Sequence, residues 1–100
     1  MVLHGINFDE VKLGAFCRKW GVQRLSLFGS ILTERFGPES DVDLLVEFLP
    51  ETRIGLFGLG SMQAELIDLL GRRTDLRMPE ELSQDFRGEV LSRAVLLHAA

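Results

Sequence analysis

Two aspartates open a run that otherwise reads as a buried strand, Asp41-Val42-Asp43-Leu44-Leu45-Val46-Glu47-Phe48, although aspartate is depleted in strands. Side chains alternate across a strand. Val42, Leu44, Val46 and Phe48 therefore form a core face, and Asp41, Asp43, Leu45 and Glu47 share the face open to solvent or a ligand. At about 3.3 Å per residue, the two carboxylates stand roughly 6.6 Å apart along the strand, close enough to converge on ions between and above them. A second short run, Arg73-Thr74-Asp75-Leu76-Arg77-Met78, repeats the pattern and adds Asp75 to the same surface if the two strands lie side by side. Carboxylates clustered without a cation repel one another. Hard oxygen donors suit Mg²⁺, which binds through one or two carboxylates together with substrate phosphates. Two such ions about 3.5–4 Å apart activate an attacking oxygen and stabilise a leaving one. Upstream, Gly29-Ser30 follows the strand-like Arg24-Leu25-Ser26-Leu27-Phe28. A glycine at that turn lets a phosphate approach the backbone, a following helix offers free N–H groups, and Ser30 adds a hydroxyl. Taken singly, each aspartate reads as turn chemistry after Pro38-Glu39-Ser40 and Gly29-Ser30 as a helix cap. The same-face pair downstream of Gly29-Ser30 tips the reading toward a site.

The elements that must position these residues follow from spacing. A first helix begins near Asn7, with Glu10 three residues on, as in a capping box. Phe8, Val11, Ala15 and Phe16 recur along it, and Gly21 ends it. The Arg24–Phe28 strand, a short helix over Ile31–Phe36 and the Val42–Phe48 strand come next. A long amphipathic helix fits Ile54–Leu70, with Gly71 just past its end. The third strand spans Arg73–Met78. Pro79 then opens a last helix whose apolar stripe is Leu82, Phe86, Val90, Ala94 and Leu97. The order α-β-α-β-α-β-α predicts an α/β layer with helices covering one face of a small sheet.

Composition narrows the function classes. The 100 residues suit one domain, 1–100, and the hydrophobic fraction of 46% is that of a globular chain. No apolar run nears the roughly 18 residues of a membrane span, and the N-terminus lacks a signal-peptide pattern. A lone Cys17 builds no disulfide framework, and the chain reads as cytoplasmic. Net charge is −4, from 11 basic and 15 acidic residues. That argues against nucleic acid as a direct partner and suits a small nucleotide chelated to metal. Gly55 to Met62, "GLFGLGSM", lacks the Lys-Ser/Thr of a P-loop and reads as close helix packing. Cys17 reads as a buried small hydrophobe, His4 and His98 as no zinc site, and Trp20 with the phenylalanines as core or partner contact.

Gly29-Ser30, ten residues, then Asp41-Val42-Asp43 matches the GS-x10-DxD signature of the DNA polymerase β-like nucleotidyltransferases. "LFGS", "PESDVDLLVEF" and "GRRTDLRMPEELSQDFRGEVL" resemble the minimal nucleotidyltransferases of that superfamily, small members paired in prokaryotes with HEPN-domain toxins. The resemblance covers nearly the whole chain. It implies the polymerase β-like fold, a small mixed sheet with helices packed on it. It also implies that Gly29 and Ser30 hold the triphosphate of ATP, and that Asp41, Asp43 and Asp75 ligate two Mg²⁺ ions and carry catalysis. AMP would pass to a hydroxyl, a tyrosine of a cognate HEPN ribonuclease toxin, making the chain its antitoxin. Many relatives carry an arginine directly after Gly-Ser, where this chain has Ile31-Leu32. Phosphate binding then falls to Arg35, or to Arg73 and Arg77, whose alternative is ion pairing with the local acids. Two other functions stay open: a binding module that neutralises its partner by occlusion, and a nucleotidyltransferase acting on a small molecule such as an aminoglycoside. Exposed apolar helix faces would fit a homo-oligomer.

Overall fold

The computed structural model describes residues 1–100. A hairpin of β1 (Val2–Leu3) and β2 (Ile6–Asn7) leads into α1 (Glu10–Trp20) and β3 (Val22–Phe28). A single 3₁₀ turn, Gly29–Leu32, precedes β4 (Val42–Phe48), α2 (Leu56–Leu70) and β5 (Thr74–Arg77). A second 3₁₀ turn, Pro79–Glu81, leads to α3 (Gln84–Arg93) and β6 (Val95–Ala99). The sheet runs β5-β4-β3-β6. β4 and β5 are parallel, and β3 is antiparallel to both β4 and β6.

The helix boundaries have identifiable causes. Asn7 belongs to the hairpin, so the first helix is capped by Asp9 instead, whose carboxylate accepts from the Val11 and Lys12 N–H groups at 2.9 and 3.1 Å. Gly21 ends α1 in the left-handed region, φ 69°. α1 buries Leu13, Phe16 and Cys17, and α2 buries Met62, Leu66 and Leu70 at four-residue spacing. These pack on Leu25 and Leu27 of β3 and Val42, Leu44 and Val46 of β4. The core face expected of the Asp-Val-Asp strand is the one found. The two helices are joined at the rim by Glu65, which accepts from the Trp20 indole at 2.6 Å and from Lys19 at 2.9 Å. Burial pushes the Cys17 thiol up to about 11, as suits a residue that packs and does not react.

The C-terminal quarter departs from the expected pattern. Pro79 starts only the 3₁₀ turn; the helix proper begins after Ser83, whose hydroxyl accepts from the Asp85 N–H. It stops at Ala94, and Leu97 lies in a strand where helical periodicity had placed it in the stripe. The uncharged run Val95-Leu96-Leu97 pairs with the otherwise open edge of β3, satisfying backbone groups that a final helix would leave unpaired. α3 buries no residue. It is held locally, by Arg87 Nη2 donating to the Glu80 and Leu82 carbonyls at 3.1 and 2.9 Å.

Candidate active site

Register brings the predicted residues together. Asp43 stands opposite Asp75 across the parallel β4/β5 pair and opposite Phe28 across β3/β4. Gly29, the first residue past Phe28, therefore turns away beside Asp43. Its φ is +79°, and a Cβ there would overlap Asp43 Oδ2. Glycine is required twice over, by conformation and by the carboxylate lying against it. Ser30 is half-buried, and its hydroxyl makes no hydrogen bond within the chain; only its carbonyl is engaged, accepting from Thr33 Oγ1 at 2.8 Å.

The expected helix over Ile31–Phe36 is absent; the chain makes one 3₁₀ turn. So short a segment carries little macrodipole, and the case for anion binding rests on the Gly29 backbone and Ser30. Ile31 is 1% exposed and belongs to the core, so its side chain points away from the aspartates. The position directly after Gly29-Ser30, where the resemblance led one to expect an arginine, serves here in packing.

The three acids differ in surroundings. Asp43 is half-buried and receives no hydrogen bond; burial first, then Asp75 and Asp41, push its carboxyl up to about 6, with Arg77 opposing. Asp41 is met by Arg73 Nε at 3.2 Å, and Asp75 by Arg77 Nε at 3.0 Å. Both pairs are exposed, and such pairs are weak. Arg35 is exposed and makes no ion pair or side-chain hydrogen bond. Of the two expected roles for Arg73 and Arg77, the structure displays ion pairing.

Arg72, unremarked in the sequence, holds the approach to Asp41. Its Nη2 donates to the Gly37 and Ser40 carbonyls at 2.8 and 2.6 Å, and its guanidinium lies 4.6 Å over the Phe36 ring. His4 stacks on Phe36 at 4.8 Å, with its Nε2 3.0 Å from the Ile31 carbonyl. Nothing in the local sequence marks this clamp, because its partners are backbone carbonyls more than thirty residues away.

As donors to a divalent cation, the acids are incompletely gathered. No three acidic, His or Cys side chains stand close enough, as oriented, to enclose one ion; Asp41 and Asp75 are turned onto arginines. The chemistry nonetheless fits: the donors are oxygens only, Asp43 lacks any donor to its charge, and its two acidic neighbours are held by weak exposed pairs that a cation can displace.

A mixed sheet carrying a glycine-serine turn beside paired strand aspartates, with a third in register, defines a nucleotidyltransferase. The chain belongs to the nucleotidyltransferase domain family, whose pattern matches residues 11–97. It is 32% identical over 92 residues to a protein of Methanocaldococcus jannaschii named as a candidate protein adenylyltransferase, covering 90% of this chain and 97% of that one. Among solved structures it is similar to one described as a candidate minimal nucleotidyltransferase (29% identity, 86% of each chain, TM-score 0.71). It also shares its fold with a complex of tri-AMPylated HEPN toxin and MNT antitoxin from Shewanella oneidensis (20% identity, 91% of this chain and 70% of that one, TM-score 0.63).

Proposed function

We propose that residues 1–100 act as one cytoplasmic nucleotidyltransferase domain that transfers AMP from ATP to a tyrosine hydroxyl of a HEPN-type ribonuclease toxin, and thereby neutralises it. The observation that carries this reading is Asp43, set against Gly29 on one side and in register with Asp75 on the other. Asp41, Asp43 and Asp75 hold two Mg²⁺ ions, which supply charge neutralisation and Lewis acidity when bound. Gly29 and Ser30 bind the triphosphate. Arg73 and Arg77, whose pairs with the acids are weak and exposed, and the exposed Arg35 would supply positive charge to the phosphates. The acceptor oxygen bonds to the α-phosphorus, the bond to the bridging oxygen breaks, pyrophosphate leaves, and the hydroxyl proton passes to solvent. Positioning and charge stabilisation do most of the work. The named relative and the AMPylated-toxin complex support the choice of AMP and of a protein acceptor.

The second reading is occlusion, in which the chain neutralises its partner by binding alone and Arg73 and Arg77 keep their pairs with Asp41 and Asp75. Intact mass of the protein encoded beside this one, after incubation with the chain, ATP and Mg²⁺, separates the two. The expected result is a gain of AMP units, absent with Asp41→Asn plus Asp43→Asn. A stable, unmodified complex from both proteins would establish occlusion instead.

A further inference from the structure

The largest cleft in the molecule, about 660 Å³, lies between the Gly29 turn and α3. Its walls are apolar, chiefly Phe28, Leu32, Phe86 and Val90, and a Glu89–Arg93 pair at 3.3 Å stands among its lining residues. Its volume is that of a small-molecule site. We infer that this cleft binds the nucleobase and ribose of the nucleotide, with Phe86 as the stacking face. The inference rests on the reading of Gly29 and Ser30 as the triphosphate turn, and adds the part of the site that holds the rest of the ligand.

Three observations carry it. Gly29 belongs both to the turn that lies against Asp43 and to the wall of the cleft, so the cleft adjoins the acids at that residue. The cleft opens on the β3/β6 side, whereas Asp75 lies on β5 at the opposite edge of the sheet, which leaves that edge for the acceptor. Finally, α3 has an apolar stripe with no core to meet. Phe86 is 62% exposed and no residue of the helix is buried, yet Phe86 and Val90 both face the cleft. A planar heterocycle on Phe86 supplies the missing partner, and Glu89 presents acceptor oxygens to ribose hydroxyls.

The lining also limits selectivity. Its polar side chains, Thr33, Glu89 and Arg93, are all exposed, so no buried donor or acceptor reads the edge of a base. Stacking tolerates every base and grows with ring area. ATP and GTP therefore bind alike, and both more tightly than CTP.

Calorimetric titration of the wild type and Phe86→Ala with Mg²⁺-ATP and with Mg²⁺-tripolyphosphate tests this. The expected result is that the wild type prefers ATP, that Phe86→Ala weakens ATP about tenfold or more, and that tripolyphosphate binding is unchanged. Phe86→Trp restores ATP affinity. Equal ATP affinity in wild type and Phe86→Ala overturns the inference while leaving the phosphate turn intact, and a parallel loss of tripolyphosphate binding overturns it by showing that Phe86 supports the turn and not the base. Failure of the wild type to bind either ligand overturns the nucleotide reading itself, and this inference with it.

Discussion

The two faces of one four-stranded sheet are built to opposite rules. Beneath α1 and α2, Leu25, Leu27, Val42, Leu44, Val46, Met62 and Leu66 are all sealed from solvent. On the other face Asp43 sits half-buried beside two more carboxylates, and α3 covers the sheet without burying a residue of its own. One face is sealed along its length; the other buries only Leu45 and Ser26 and retains like charges and unpartnered apolar surface. A fold spends stability in this way where a ligand is to supply the missing partner.

The sharpest break of the comparison is Asp43→Asn. On the open face it should cut adenylyl transfer by about a hundredfold to a thousandfold, the scale of losing one preorganised electrostatic element, because the variant lacks a carboxylate that would hold the metal, as measured by single-turnover mass spectrometry. The same substitution should raise the melting temperature at pH 7, because it removes a buried like charge. Leu66→Ala is the counterpart on the closed face. It should cost about 2–5 kcal/mol in urea unfolding, whereas Phe86→Ala, exposed on α3, should leave unfolding within about 0.5 kcal/mol of wild type. Comparable losses at Leu66 and Phe86 would mean that the two faces are not different after all.

This asymmetry also explains what could be read in advance. The closed face writes itself into spacing: alternation in Val42–Phe48 and four-residue repeats in α2 located both the core and, by exclusion, the face of the aspartates. The Asp43–Asp75 register followed from the same alternation once the strands were placed side by side. Three features were not legible. The Ile31–Phe36 helix collapsed to a turn because Ile31 is pulled into the core. The Val95–Ala99 strand was hidden because Ala94 and Leu97 continue a helical stripe by coincidence, and only the open edge of β3 decides against it. Arg72 was invisible because its bonds are to distant backbone.

Arg72 gives the next largest effect. Its guanidinium ties the carbonyls of Gly37 and Ser40 just before Asp41, and hydrogen bonds from a charged donor are each worth about 1.5–3 kcal/mol. Arg72→Ala should lower stability by about that amount for one bond. It should also weaken Mn²⁺ binding, read by water-proton relaxation, because Asp41 is no longer fixed. Arg72→Lys keeps the charge and a donor but loses the planar stack on Phe36, so it should recover stability better than metal affinity. A variant with unaltered Mn²⁺ binding would make the clamp purely architectural.

The smallest effect is a matter of sign. The folded-state value for Asp43, about 6 against an ordinary 3.8, lies on the high side. An acid raised by folding favours the native state while protonated, so its contribution is complete below about pH 4 and is lost as pH rises through 6. For a group partly open to solvent the difference amounts to about 1 kcal/mol after screening. Glu65 works the other way: the Trp20 indole and then Lys19 hold it low, so its contribution is present at neutral pH and lost on acidification. Because Glu65 is common to wild type and Asp43→Asn, subtracting their stability profiles isolates Asp43. The difference curve should favour the variant increasingly from pH 4 to pH 7, and Mg²⁺ with ATP should flatten it, since a cation beside the carboxylate draws its value back down. A flat curve without Mg²⁺ would mean that Asp43 is better solvated than its setting between Gly29 and Asp75 implies, and the contrast between the two faces would lose its electrostatic half.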